Sequence, residues 1–197
     1  MKALIIPEDP RLDQYILKPI VEEMFRRLDI RARVSVLQDP RLRGIDEALD
    51  ADVIREIVRD NPMEDLFLLL VDRDCDRKGN TDRAAAREGE HPDRLIACLA
   101  THEVEVWMLA LHRAELGTPW TQVRQHCDPK EAYADPFLER QGWTGEVGQG
   151  RKKAMRDLGG HWNGLLQVCD ELAHLQERVA AWVSLHAGGT RPTDGSD

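Results

Sequence analysis

The sequence predicts an α/β fold with a mainly parallel β-sheet flanked by helices and a C-terminal helical extension. Three observations carry this. Short apolar runs alternate with helical periodicity through the first half of the chain. The most apolar run, Leu66–Val71 (LFLLLV), shows no polar alternation, as expected of a central parallel strand covered on both faces. Beyond about Pro119 only helix-like stretches remain, separated by Pro129, Pro136 and the glycine-rich segment Gly142–Gly150.

Taken in order, Ala3–Ile6 reads as a buried first strand that stops at Pro7-Glu8-Asp9-Pro10. Leu12, Tyr15, Ile16, Ile20, Met24 and Leu28 recur at helical spacing and predict a helix over Arg11–Leu28, with a kink or break near Lys18 because Pro19 lies inside it. Arg31–Leu37 alternates around Val34 and Val36 and reads as a strand. Ile45–Val58 is helical and is stopped by Asn61-Pro62. After the central strand, Thr81–Asp93 is polar enough to read as a loop or frayed helix. Arg94–Ala100 follows as a fourth strand and Glu103–Glu115 as a helix. The expected organisation is an α/β domain over residues 1–117, a helical extension over 118–186 packed on it, and a disordered small-residue tail, Ala187–Asp197.

The chain has 197 residues, 42% hydrophobic and 32% charged, which reads as globular. No run approaches the ~20 apolar residues that span a bilayer, and the N-terminus lacks the pattern of a signal peptide, so no membrane association and a cytoplasmic location are expected. The four cysteines, Cys75, Cys98, Cys127 and Cys169, form no C-x-x-C or zinc-finger spacing and are expected as free thiols. The net charge of −9 argues against a broad basic nucleic-acid surface, but it leaves room for a local groove and for carboxylates acting as metal ligands.

The acids gather where such folds bind ligands, at the carboxyl ends of strands. Glu8-Asp9 follow the first strand, Asp72-Arg73-Asp74 the third, and His102-Glu103-Val104-Glu105 the fourth. On an extended backbone Asp72 and Asp74 would point to one side. Hard oxygen donors of this kind suit Mg²⁺ or Mn²⁺. Asp76 extends the run to D-x-D-x-D, but the glycine and terminal glutamate of a calcium loop are missing, and a solvated turn is the simpler reading. Trp107 reads as core. Cys75, between two aspartates that disfavour a thiolate, does not read as a nucleophile.

LFLLLVDRDCD, together with the strand-terminal Glu8, resembles the Toprim domain shared by topoisomerases, bacterial primases and the overcoming-lysogenisation-defect nucleases. Glu105–Ala110 (EVWMLA) is similar to the E-x-W helix of small stand-alone Toprim-like proteins linked to phage defence and mobile elements. The resemblance covers roughly residues 1–115. It implies a Toprim/Rossmann-like sheet and a Mg²⁺- or Mn²⁺-dependent nuclease acting on DNA or RNA. The metal-binding acids would be Glu8, Asp72 and Asp74, with Glu105 as an additional acid. Many Toprim proteins have glycine after the first acid. Here Asp9 and Pro10 follow, so Asp9 is a substitute ligand and Asp76 a lesser one. A phosphate-clamping cation is expected in Arg151-Lys152-Lys153, with Lys152 or Lys153 favoured, and Arg73, Arg77 and Lys78 flank the acids. A partner such as an ATPase, or a homodimer, fits the family. Two alternatives stand beside this reading: a non-catalytic Toprim-like module acting with a partner protein, and a haloacid-dehalogenase-like phosphatase whose strand also ends in D-x-D.

Overall fold

A computed structural model describes residues 1–76 and 78–186. Arg77 and the predicted tail Ala187–Asp197 lie outside the described residues. Four parallel strands, β1 (Lys2–Pro7), β2 (Arg33–Val36), β3 (Leu66–Asp72) and β4 (Leu95–Ala100), form one sheet in the order β2-β1-β3-β4. The α/β class and parallel sheet are as predicted.

β3 shows why an unbroken apolar run belongs at the centre. Leu66, Leu68 and Leu70 enter one apolar cluster, while Phe67, Leu69 and Val71 enter a second on the opposite face. The first cluster also takes in α1 (Gln14–Arg27), α5 (Glu105–Leu111), α9 (Leu158–Leu166) and α10 (Asp170–His186). The second takes in α2 (Ile45–Ala48), α3 (Ala51–Asp60) and α4 (Asn80–Glu90). Helices therefore cover both faces. The residues from 118 onward contribute α6 (Trp120–Gln125), a π-helical turn at Lys130–Ala134, α7 (Asp135–Arg140), α8 (Arg151–Ala154), α9 and α10. None of the helices in the described residues is long and apolar enough to cross a membrane.

Three local expectations are corrected. Pro19 neither breaks nor divides α1, because Ile16, Leu17, Ile20, Val21, Met24 and Phe25 are buried on both sides of it and hold the helix to the sheet. The predicted helix over Ile45–Val58 is two helices. Asp50 takes an extended conformation, and its carboxylate accepts hydrogen bonds from the backbone N–H groups of Asp52 (2.9 Å) and Val53 (3.0 Å), starting α3 afresh. Asp50→Ala is therefore expected to lower stability, read as a lower urea midpoint at constant slope. Finally, the polar stretch after residue 80 is a regular helix. Only Asn80 and Ala84 of α4 are buried, so its apolar signal was one alanine deep.

Candidate metal and phosphate site

The strand order locates the site. β1 connects to β2 through α1 on one face, whereas β2 connects to β3 through α2 and α3 on the other. The connections diverge between the neighbouring strands β1 and β3, and the crevice outside their carboxyl ends is where open parallel sheets bind ligands. Glu8 follows β1 there and Asp72 ends β3.

The carboxyls at this crevice are crowded. Burial, then the charge of Asp74, pushes the pKa of Glu8 up to about 7, partly offset by the Ile45 backbone N–H. Burial, then the charges of Glu105, Glu8 and Asp13, raises Asp72 well above the carboxylate range, although its Oδ1 accepts a 2.8 Å hydrogen bond from the Val104 N–H. Asp13 is buried at the start of α1, where its Oδ2 accepts from the Asp9 N–H at 2.9 Å; burial and the charge of Glu105 raise it to about 7. Glu103, raised to about 7 by burial, accepts a 2.7 Å hydrogen bond from the Lys130 N–H. Burial works against the Lys130 ammonium, but Glu105, Glu131 and Glu103 prevail and raise its pKa.

Glu105 is buried under the first turn of α5 and is paired with Arg151, whose side chain is fully buried. Both Nε (3.1 Å) and Nη2 (2.7 Å) of Arg151 donate to Glu105 Oε1, and Nη2 also reaches Asp135 at 3.4 Å. Gly150 makes this delivery possible: its φ is 89°, and a Cβ there would lie 2.8 Å from the Trp143 Cβ. Of the other predicted cations in that cluster, Lys152 is exposed, and Lys153 pairs with Glu146 at 3.1 Å above the Trp143 ring.

The remaining predicted residues are placed as follows. Asp74 is half-buried close to Glu8, but the chain has left the strand by then. Its φ is 51°, and the N–H groups of Arg73 and Asp74 both donate to the His102 carbonyl, so strand alternation is not what positions it. Asp9 accepts from the Arg11 N–H within its own turn. Asp76 is exposed and accepts from the Thr81 N–H at the start of α4, which holds its carboxyl below the usual range. Lys78 pairs with Asp46. Trp107 is fully buried and donates from Nε1 to Glu171 at 2.9 Å.

For three contributors the sequence does not specify the part they play. Asp13 carries a signal in retrospect, since it shares the stripe of Ile16, Leu17 and Ile20 and is thus a carboxylate on an apolar helix face. Glu103 stands among the acidic strand ends, but nothing in the spacing distinguishes it from Glu105. Arg151 carried no positional signal within three consecutive cations.

Carboxylate oxygens are the donor type a hard divalent cation takes, and Glu8 Oε2 is buried with no hydrogen-bond partner. Among the described residues, however, no three of these carboxyls bring oxygens within 4.8 Å of one another, so an ion shared by three of them would have to draw them together. Beside Glu8 opens a cleft of about 660 Å³ lined by Asp9, Asp39, Arg41, Leu42, Arg43 and Gly44. A smaller hollow of about 230 Å³ shares Arg41 with it and is lined also by Arg11, Gln14 and Gln38. No known protein family, curated protein or solved structure matches the chain.

The raised carboxyls set a pH dependence. A carboxyl whose pKa is higher folded than unfolded binds extra protons when folded, so its stabilisation is full below the unfolded pKa and is lost as pH rises through the folded one. Glu8, Asp13 and Glu103, at about 7, lose theirs up to about pH 8. His91 and His102, lowered chiefly by burial, oppose this only below the ordinary histidine range. Between pH 6.5 and 8 the melting temperature in EDTA should therefore fall, and saturating Mn²⁺ should flatten the slope. A flat or rising profile in EDTA would contradict this electrostatic account.

Proposed function

We propose that this protein is a Mg²⁺- or Mn²⁺-dependent phosphodiesterase, a nuclease of the Toprim-like kind, working at the crevice between β1 and β3. The observation that carries the reading is the Glu8–Asp72 pair. Two carboxyls end adjacent parallel strands at the point where the connections diverge, and Glu8, which lines an open cleft, keeps one buried oxygen without a partner. Like-charged acids packed this way are costly without a cation between them. The resemblance of LFLLLVDRDCD and EVWMLA to Toprim-like proteins supports the same reading.

In this reading Glu8 and Asp72 hold the ion, with Asp74 beside them. A divalent cation bound there supplies charge neutralisation at the phosphate and a more acidic attacking water. Arg41 and Arg43 in the cleft, and Arg11 in the adjoining hollow, receive the flanking phosphates of a polyanionic chain. Asp13 and Glu103, poised near 7, are the carboxyls able to take up or release a proton at neutral pH. Glu105, held by Arg151, positions the start of α5 and sets the field at Asp72 and Asp13. The chain is acidic overall, so attraction to a nucleic acid falls to the ion and these local arginines, or to a partner protein.

The test is cleavage of end-labelled single- and double-stranded DNA and RNA with Mn²⁺, Mg²⁺ or EDTA. Metal-dependent cleavage of at least one polymer is expected. No cleavage of any of them, together with no effect of Mn²⁺ on melting, would overturn the proposal in favour of a non-catalytic module.

A further inference from the structure

Next to the carboxylates lies a cluster of different chemistry. Cys75 sits in the three-residue 3₁₀ turn Asp74–Asp76, His102 follows β4, and Cys127 follows α6. The Sγ atoms of Cys75 and Cys127 and a ring nitrogen of His102 all lie within 4.8 Å of one another. His102 is buried, and its Nδ1 is 3.3 Å from Cys75 Sγ. Contrary to the expectation of four free thiols, Cys75 and Cys127 are joined as a disulfide, while Cys98 and Cys169 are buried and free.

A disulfide alone needs no imidazole against its sulfur. Two thiolates and one imidazole, however, are a common donor set of zinc, which prefers sulfur and nitrogen where the neighbouring carboxylates prefer Mg²⁺ or Mn²⁺. Around a tetrahedral zinc such donors stand about 3.5–3.8 Å apart, given Zn–S of about 2.3 Å and Zn–N of about 2.0 Å. The Nδ1–Sγ contact is already near that spacing. The Cα atoms of the two cysteines are 5.5 Å apart, so rotation of the cysteine side chains can part the sulfurs without moving the backbone.

We propose that Cys75, Cys127 and His102 form a zinc site in the reduced protein, with a fourth position open to water, and that the disulfide is its oxidised, zinc-free form. Hydrogen peroxide would convert the zinc-bound form into the disulfide. The two thiolates give up an electron pair as the S–S bond forms, the peroxide O–O bond breaks, two protons are taken up and two waters leave, and Zn²⁺ departs without change of charge. A dithiol reverses the step by forming its own disulfide. In either form the cluster ties the turn after β3, which bears Asp74, to the segment after α6, which leads to Lys130. It does not depend on what that crevice catalyses.

The test uses the full chain reduced with a phosphine and titrated anaerobically with Co²⁺ as a probe for zinc. One equivalent should give an intense thiolate-to-cobalt charge-transfer band and the visible bands of tetrahedral cobalt, displaced by Zn²⁺. Cys75→Ser and Cys127→Ser should lose the charge-transfer intensity, and His102→Ala should weaken binding at least tenfold. The Glu8→Gln/Asp72→Asn variant should keep the spectrum, which separates this site from the carboxylates. Peroxide should release the zinc and leave a protein that binds it at least a hundredfold more weakly. Absence of the band in the reduced chain, or its survival in both serine variants, overturns the proposal. Should the serine variants fail to fold, X-ray absorption on the zinc-loaded wild type decides. Two sulfurs at about 2.3 Å support the site, and a shell with fewer than two sulfurs refutes it.

Discussion

Asp72→Asn is expected to lower Mn²⁺-dependent cleavage at least about a hundredfold while leaving the metal-free fold no less stable than wild type. The two halves of that result have one cause. Asp72 is enclosed with Glu8, Asp13 and Glu105, whose charges all disfavour its ionisation. Asparagine can still accept the hydrogen bond from the Val104 N–H through its side-chain oxygen, so the geometry at the start of α5 is kept. It cannot ionise, so the metal-free protein never carries a charge at this enclosed position and is not destabilised by the change. The same loss takes a charged ligand from the cation, and about 3 kcal/mol of lost transition-state stabilisation corresponds to about a hundredfold in rate. Melting curves complete the experiment. Mn²⁺ should raise the wild-type melting temperature, and that rise should be largely absent in Asp72→Asn and in Glu8→Gln. A wild-type rate in Asp72→Asn would sink the assignment. Loss of activity with an unchanged Mn²⁺ response would move Asp72 from metal ligand to another role.

The sheet was legible because its strands are governed by a one-dimensional signal. An apolar run such as Leu66–Val71 must be covered on both faces, and the chain supplies helices in alternation to cover it. Glu8 and Asp72 were legible for the same reason, as acids closing buried strands. Legibility failed where a side chain's role depends on a contact distant in sequence or on a choice within a short helix. Thr81–Asp93 reads as a loop or frayed helix because a helix that buries only Asn80 and Ala84 has almost no periodic signal to read. The split at Asp50 depends on one carboxylate turning back to two backbone N–H groups. Cys75 and Cys127 are 52 residues apart, and no spacing rule joins them. α8 has only four residues, so a pattern of apolar positions cannot tell which of Arg151, Lys152 and Lys153 faces inward.

Replacing Arg151 is expected to cost more stability than any other single change to a charged residue of the site. Its guanidinium is fully buried, directs two donors to Glu105 Oε1 and a third contact to Asp135, and supplies the positive charge that faces a group of acids. Arg151→Met keeps much of the volume but leaves the buried Glu105 carboxylate without its counter-ion, next to Asp72 and Asp13, which already feel its charge. Breaking a buried pair from one side costs about 3–5 kcal/mol. For a chain of this size that lowers the melting temperature by about 6–20 °C. The pair's net worth is a separate quantity, since two desolvated charges repay each other only in part. Arg151 Nη1 is itself buried without a hydrogen-bond partner, which lowers that net worth further. The double variant Glu105→Gln/Arg151→Met should therefore recover at least half of the loss, because the uncompensated carboxylate has gone. Urea denaturation of the four proteins in a double-mutant cycle measures this coupling directly. Additive losses would mean that Arg151 acts through packing alone. Recovery would mean that the buried Glu105 carboxylate depends on Arg151 as its counter-ion, which Lys152 and Lys153 do not replace.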